Sequence, residues 1–156
     1  MPEIQLETAG AQQTERLGEA LAAALAPGDV VLVAGELGAG KTTLVRGACR
    51  ALGVRENVPS PTFVIGQTYS GRLPVSHLDL YRLETLAGED PALLADYLRS
   101  DCVAFVEWPE RAGGALDSER VVLSLAISHA GDDRRSISAS GDLGPIDALA
   151  AAWVEQ

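Results

Sequence analysis

Residues 35 to 43 of the chain read GELGAGKTT, and the spacing of the glycines before Lys-Thr is typical of a phosphate-binding loop between a strand and a helix. The flanking residues agree with this interpretation. VVLVA (30–34) is a continuous apolar run of the kind that forms a buried parallel strand, and TTLVRGACRAL (42–52) has the pattern of a helix. The sequence therefore predicts that a phosphate group binds where this strand ends and this helix begins.

Lys41 is the only lysine in the sequence, whereas arginine occurs eleven times. Inside a tight glycine loop the compact ammonium group of lysine can reach phosphate oxygens, but a planar guanidinium group is too broad. The hydroxyl group of Thr42 is the expected first protein ligand of Mg²⁺. We therefore expect Lys41 to bind the β- and γ-phosphates of a nucleotide, with Thr42 at the metal.

The rest of the chain predicts one compact unit around this loop. Further strands are predicted at 3–7, 62–69, 73–81, 101–108, 120–127 and 134–140, and further helices at 11–25, 91–98 and 145–156. Two strand pairs are joined by short turns and form hairpins. We therefore predict an α/β, P-loop NTPase-like fold in a single domain over residues 1–156, with a parallel central sheet extended by antiparallel strands and flanked by helices.

The composition limits the partners that the chain can have. Its 156 residues carry a net charge of −10, which opposes direct binding to a nucleic-acid backbone over a large surface. The apolar runs are too short to span a membrane and residues 1–10 lack the pattern of a secretory signal, so we expect a cytoplasmic location. Cys49 and Cys102 match no metal-binding spacing and are predicted to be reduced thiols in the core.

Two acidic residues are candidates for a second metal ligand. Glu107 follows the run CVAFV (102–106) and is expected at the end of a buried strand, where ligands bind in open α/β sheets. Asp79 follows VSHL (75–78), whose alternation suggests a half-exposed strand. We predict that Glu107 enters the coordination sphere of Mg²⁺, and that Asp79 either lies beside it or positions the attacking water.

Three further features have both a functional and a structural interpretation. The segment SPTF lies where many nucleotide-dependent switches sense the γ-phosphate, although its composition is also common in loops. It comprises Ser60, Pro61, Thr62 and Phe63. His77 is assigned to the same switch or partner-facing region, with a structural histidine as the alternative. Trp108 either stacks on the base or fills the edge of the core.

Four motifs in this order, GELGAGKTTLVRG, SPTF, HLDLYRL and VEWPER, resemble the bacterial TsaE family, the small ATPase of tRNA threonylcarbamoyladenosine synthesis. The resemblance also includes TERLGEALA and PGDVVLVAGELGAGKTT, so that it covers roughly residues 8 to 128. Glu36 stands where Asp is frequent in the family, and Leu78 stands where Phe is frequent. Neither change removes a functional group.

The resemblance implies a specific function. Family members bind ATP and Mg²⁺ through the loop, with the metal at the residues that Thr42 and Glu107 match. They work with two partner proteins, TsaB and TsaD, which transfer a threonylcarbamoyl group to the adenosine beside the tRNA anticodon. The ATPase resets or activates this pair and meets tRNA mainly through it. The residues that match the nucleotide-binding loop are Glu36, Leu37, Gly38, Ala39, Gly40, Lys41, Thr42 and Thr43.

Two other functions fit the same loop. A small-molecule kinase has the same strand, loop and helix, but it usually closes an arginine-bearing lid over the phosphates, and ETLAGEDPALLADYLRS (84–100) contains only Arg99. A nucleotide-sensing binding module with incidental hydrolysis differs only in whether hydrolysis or binding drives the partner cycle. A GTPase is disfavoured, because an Asn-Lys-x-Asp motif would need a second lysine.

Overall fold

A computed structural model of the chain describes residues 1–58, 65–81 and 92–154. In these residues the chain forms one sheet of seven strands with helices packed around it. The strands are β1 (Glu3–Thr8), β2 (Val30–Gly35), β3 (Gly66–Ser70), β4 (Pro74–Asp79), β5 (Val103–Glu107), β6 (Val121–His129) and β7 (Arg135–Gly141). The helices are α1 (Ala11–Ala22), α2 (Lys41–Ala51), α3 (Ala92–Ala95) and α4 (Leu143–Val154), and a 3₁₀ turn covers Pro109–Ala112.

The strand order is β1-β7-β6-β2-β5-β4-β3, and the four strands β6, β2, β5 and β4 run parallel. Antiparallel pairing adds β3 at one edge and β7 with β1 at the other. This arrangement confirms the predicted α/β fold, a parallel centre extended by antiparallel strands. Because β2 lies between β5 and β6, the loop that follows it opens at the carboxyl ends of the central strands, where ligands bind in such sheets.

Two apolar clusters cover the two faces of the sheet. On one face, Leu17 and Leu21 of α1 and Leu44 of α2 belong to the same buried cluster as Val31 and Phe105 of the central strands. The second cluster joins β2, β4 and β5 to α3, to the 3₁₀ turn and to the chain that follows this turn. Its buried members are Val30, Leu78, Leu80, Leu94, Ala104, Val106, Ala112 and Leu116. Since β2 contributes to both clusters, its apolar run is continuous rather than alternating.

Helices α1 and α2 approach each other closely because a glycine lies on each side of the contact. A Cβ atom added to Gly47 of α2 would lie 2.1 Å from the carbonyl oxygen of Glu15, and one added to Gly18 of α1 would lie 2.1 Å from that of Leu44. Neither position has room for a methyl group. The crossing therefore holds α2, whose first residue is Lys41, against the first apolar cluster.

The sequence prediction for β4 was wrong in one respect. Alternation in VSHL suggested a half-exposed strand before Asp79, but Val75, Ser76, His77 and Leu78 are each at most 1% exposed. The reason is that β4 lies between β3 and β5 and contributes to an apolar cluster on each face. Ser76 and His77 are therefore buried polar residues and do not mark a side that faces solvent.

Several other predictions have a simple outcome. Helix α1 ends at Ala22, before the predicted end, and Leu25 is only partly buried. Cys49 and Cys102 are buried and free, which confirms the predicted thiols. The SPTF segment, Ser60 to Phe63, lies outside the described residues. Within the part of the chain that the structure describes, no helix is long and apolar enough to cross a membrane.

Candidate nucleotide-binding site

The loop between β2 and α2 has a backbone that requires glycine. Gly38 and Gly40 have φ values of 73° and 104°, a left-handed region that other residues rarely adopt. A Cβ atom on Gly35 would lie 2.4 Å from the carbonyl oxygen of Ile127 on β6, so no side chain fits there. Gly40 is the N-cap of α2, whose first N–H groups have no acceptor within the helix. Such a loop at a helix N-terminus suits an anion.

The ammonium group of Lys41 lies inside this loop. Its Nζ donates hydrogen bonds of 2.8 Å to the carbonyl oxygens of Gly35 and of Glu36, and the residue is only 5% exposed. Burial lowers the pKa of Lys41 below its ordinary value, and the negative charges of Glu107 and Asp79 oppose this effect. The two carbonyl groups enclose a narrow ammonium group, which agrees with the sequence argument for lysine at this position.

Three side chains from different elements meet at one carboxylate oxygen. Glu107, the last residue of β5, is 2% exposed, and its Oε2 accepts a 2.8 Å hydrogen bond from the hydroxyl group of Thr42. The same oxygen lies 2.5 Å from Nε2 of His77 on β4. Asp79, at the end of β4, is in register with Glu107 across the parallel pair. Residues paired in this way share a face of the sheet, so both carboxylates lie on the side of α2.

A comparison with protein families connects this geometry to known proteins. The family model of the threonylcarbamoyl adenosine biosynthesis protein TsaE matches residues 8–137, most of the chain. The chain belongs to the TsaE family. The match confirms the resemblance in the motifs. It also extends beyond the motifs, since its last residue, 137, lies in β7.

Individual relatives agree with this membership. The tRNA threonylcarbamoyladenosine biosynthesis protein TsaE of Bacillus subtilis is 39% identical over 139 residues, which cover 88% of this chain and 85% of that protein. The protein of the same name from Streptomyces coelicolor is 42% identical over 130 residues, which cover 80% and 88%. The crystal structure of YdiB from Bacillus subtilis superposes on this chain with a TM-score of 0.72. The two sequences are 30% identical, and the match covers 99% of this chain and 95% of the YdiB chain.

In this TsaE-family chain, His77 is buried within the sheet. The residue was expected in the switch or partner-facing region, but its side chain is fully buried and lies against Glu107. Sequence reasoning missed this contact because the two residues are on different strands, and only the parallel pairing of β4 with β5 brings them together. A switch or partner-facing role for His77 stays a prediction, and what the structure shows is a buried histidine bonded to Glu107.

Trp108 covers the ammonium group of Lys41. The Nζ atom of Lys41 lies 4.5 Å from the centroid of the Trp108 ring, a distance at which a cation is attracted to an aromatic face. The ring also lies near Tyr81, with 4.8 Å between the ring centroids, and near the guanidinium group of Arg111, which is 5.9 Å from the Trp108 centroid. Trp108 also packs against the second apolar cluster. Stacking of Trp108 on a base remains a prediction.

Arg135 is a residue of this site that the sequence did not reveal. It is the first residue of β7, and its Nε donates a 3.1 Å hydrogen bond to the carbonyl oxygen of Ala39. One of its terminal nitrogens lies 3.4 Å from the carbonyl oxygen of Gly38. A loop that turns its N–H groups toward an anion must turn carbonyl groups away, and Arg135 supplies them with donors. No local pattern predicts a contact between residues so far apart in the chain.

The oxygen donors beside the loop suit Mg²⁺ that arrives with a phosphate ligand. The described residues contain no group of three or more His, Cys, Asp or Glu that could hold a metal ion by itself. The Thr42 hydroxyl and the Glu107 carboxylate are 2.8 Å apart, and Asp79 ends the neighbouring strand. Mg²⁺ usually binds through one or two carboxylates together with substrate phosphates and water. The residues therefore fit this ion.

Proposed function

We propose that this protein is a Mg²⁺-dependent ATPase subunit required for the N6-threonylcarbamoyladenosine modification of tRNA at position 37, and that it acts on a TsaB–TsaD transferase complex. The observation that carries the proposal is the arrangement of Lys41, Thr42 and Glu107 where the loop meets α2. The names of the relatives specify tRNA threonylcarbamoyladenosine biosynthesis and support the pathway.

Each residue has a role that follows from its position. The N–H groups of the loop and the N-terminus of α2 bind the phosphate chain, and Lys41 neutralises its β- and γ-oxygens. Glu107 accepts the hydroxyl hydrogen of Thr42, which leaves the lone pairs of that oxygen for the cation. Bound Mg²⁺ supplies the positive charge that stabilises the phosphate oxygens during transfer. Asp79 orients the attacking water, and Trp108 shields Lys41 from bulk solvent.

The charge of the chain supports action on proteins rather than directly on tRNA. A net charge of −10 repels a phosphate backbone, so the subunit meets tRNA mainly through its partners. We place the protein in the cytoplasm with TsaB and TsaD. The same charge does not oppose the binding of ATP, because the loop offers local positive potential from Lys41 and the helix N-terminus.

The test is phosphate release from Mg·ATP by the purified protein, alone and with TsaB and TsaD from the same organism. We expect weak hydrolysis alone, an increase with the pair, and loss of hydrolysis in Lys41→Ala. Arg50→Ala is the matched control for the protein alone, because it removes a positive charge from the same helix at an exposed position that pairs with Glu15 and Glu19.

The alternatives give different results in the same assay. Hydrolysis that does not respond to the pair would contradict the proposal and favour a small-molecule kinase, which a screen for phosphorylated metabolites would then identify. Full activation of the pair by a non-hydrolysable ATP analogue, over repeated turnovers, would instead favour a nucleotide-sensing module. Equal hydrolysis by wild-type protein and Lys41→Ala would show that the loop is not the active site.

A further inference from the structure

His77 is bonded to the carboxylate that also holds Thr42. Its side chain is fully buried, and Nε2 lies 2.5 Å from Oε2 of Glu107. That oxygen also accepts the hydroxyl hydrogen of Thr42 at 2.8 Å. A single carboxylate oxygen is thus fixed from two sides, by β4 and by α2. The other oxygen of Glu107 takes part in neither of these two bonds.

The chemistry of the contact defines the tautomer of the imidazole. An ionised carboxylate only accepts hydrogen bonds, so Nε2 of His77 must carry the hydrogen. In the neutral ring Nδ1 is then a bare acceptor, and it is buried without a hydrogen-bond partner among the described residues. A buried acceptor without a partner destabilises the folded state. Stability alone would therefore favour an apolar residue at position 77. The N–H donor at Nε2 is the property that accounts for the presence of a histidine there.

We propose that His77 is a positioning residue for Glu107. This inference rests on the proposed function and assigns to His77 the orientation of the divalent-cation site. By donating to Oε2, the imidazole holds the carboxylate so that the same oxygen binds the hydrogen of Thr42. The Thr42 oxygen and the second oxygen of Glu107 would then be available to hold the cation. Residues that orient metal ligands in this way typically contribute about 10–100-fold to metal affinity.

Two substitutions separate this role from a general structural one. His77→Leu keeps a similar volume and removes the donor, whereas His77→Gln keeps an N–H group near the position of Nε2. The matched control is Ser76→Ala, a neighbouring buried position on β4 whose hydroxyl group contacts Cys102 and not Glu107. The wild-type protein and these three variants would be tested by calorimetric titration with ADP, once in the presence of Mg²⁺ and once in EDTA.

We expect His77→Leu to reduce the Mg²⁺-dependent part of ADP affinity by about 10–100-fold, with ADP binding in EDTA unchanged. His77→Gln should restore most of the loss, and Ser76→Ala should behave as wild type. An unchanged Mg²⁺ dependence in His77→Leu would overturn the proposal. An equal loss of ADP affinity with and without Mg²⁺ would overturn it as well, because that result indicates damage to the whole site.

A spectroscopic measurement tests the contact without nucleotide or substitution. Long-range ¹H–¹⁵N correlation spectra of the free protein should show the Nε2–H tautomer for His77, and an Nδ1–H tautomer would overturn the role even if His77→Leu fails to fold. Wild-type protein that binds ADP equally well with and without Mg²⁺ would instead refute the proposed function and this role with it. The two failures are therefore distinguishable.

Discussion

Gly47→Ala adds one methyl group at the closest contact between α1 and α2. The added carbon would lie 2.1 Å from the carbonyl oxygen of Glu15, although real Cβ contacts are essentially never shorter than 3.0 Å. Both sides of the contact are backbone, so the helices must separate by about 1 Å. Overpacking at such a site costs up to about 3 kcal/mol, and the better helix propensity of alanine returns about 1 kcal/mol. We expect a net loss of about 2 kcal/mol in unfolding free energy.

Thermal denaturation followed by circular dichroism measures this loss. For a domain of this size, about 2 kcal/mol corresponds to a decrease in Tm of about 4–8 °C. Gly144→Ala is the matched control, because it is also in a helix but its Cβ atom would meet nothing within 4 Å. It should leave the protein as stable as wild type or stabilise it by up to about 1 kcal/mol. A Gly47→Ala protein at least as stable as wild type would refute the packing argument.

Four further predictions concern individual side chains. Lys41→Arg should abolish ATP hydrolysis as Lys41→Ala does, because two carbonyl oxygens at 2.8 Å enclose the ammonium group; wild-type phosphate release would contradict this. Glu107→Gln should lower hydrolysis roughly 100-fold with an unchanged circular dichroism spectrum, and an unfolded variant would show that the residue is structural. Arg135→Leu should weaken ADP binding about tenfold by calorimetry, since two loop carbonyls lose a charged donor; unchanged affinity would exclude that role. Because burial raises the pKa of Cys49 to about 12, this thiol should resist iodoacetamide at pH 8 until the protein is unfolded, and rapid labelling of the native protein would contradict its burial.

The parts of the fold that the sequence predicted are those with local signals. The apolar run of β2, the glycines of the loop and the helical pattern of α2 lie within one short stretch, and each has a direct physical reason. The hairpin of β6 and β7 was predicted from a turn between two extended segments, and the structure confirms it. The order of the strands had no such signal, because β2 pairs with strands that occur much later in the chain.

The site shows the same division between local and distant information. Lys41 and Thr42 follow from the loop motif, and Glu107 follows from its place at the end of a buried run. The burial of His77 and its contact with Glu107 were missed because a polar residue in a strand usually indicates a solvent-facing side, and here the bonded residue is on another strand. Arg135 was missed because it reaches the loop only through the pairing of β7 with β6 and of β6 with β2.

The scarcity of lysine gives the chain a chemical label at its own binding site. Lys41 carries the only side-chain primary amine in this sequence, so a reagent that acylates amines modifies Lys41 and the α-amino group of the chain. Burial lowers the pKa of Lys41, which increases the fraction of the nucleophilic neutral amine, while the loop carbonyls and the Trp108 ring restrict access to it. Occupancy of the phosphate loop can thus be read as loss of the mass increment on the peptide that contains Lys41, while the increment on the α-amino group stays as an internal reference. The measurement needs no substitution and no purified partner, so it can follow the subunit in a mixture with other proteins.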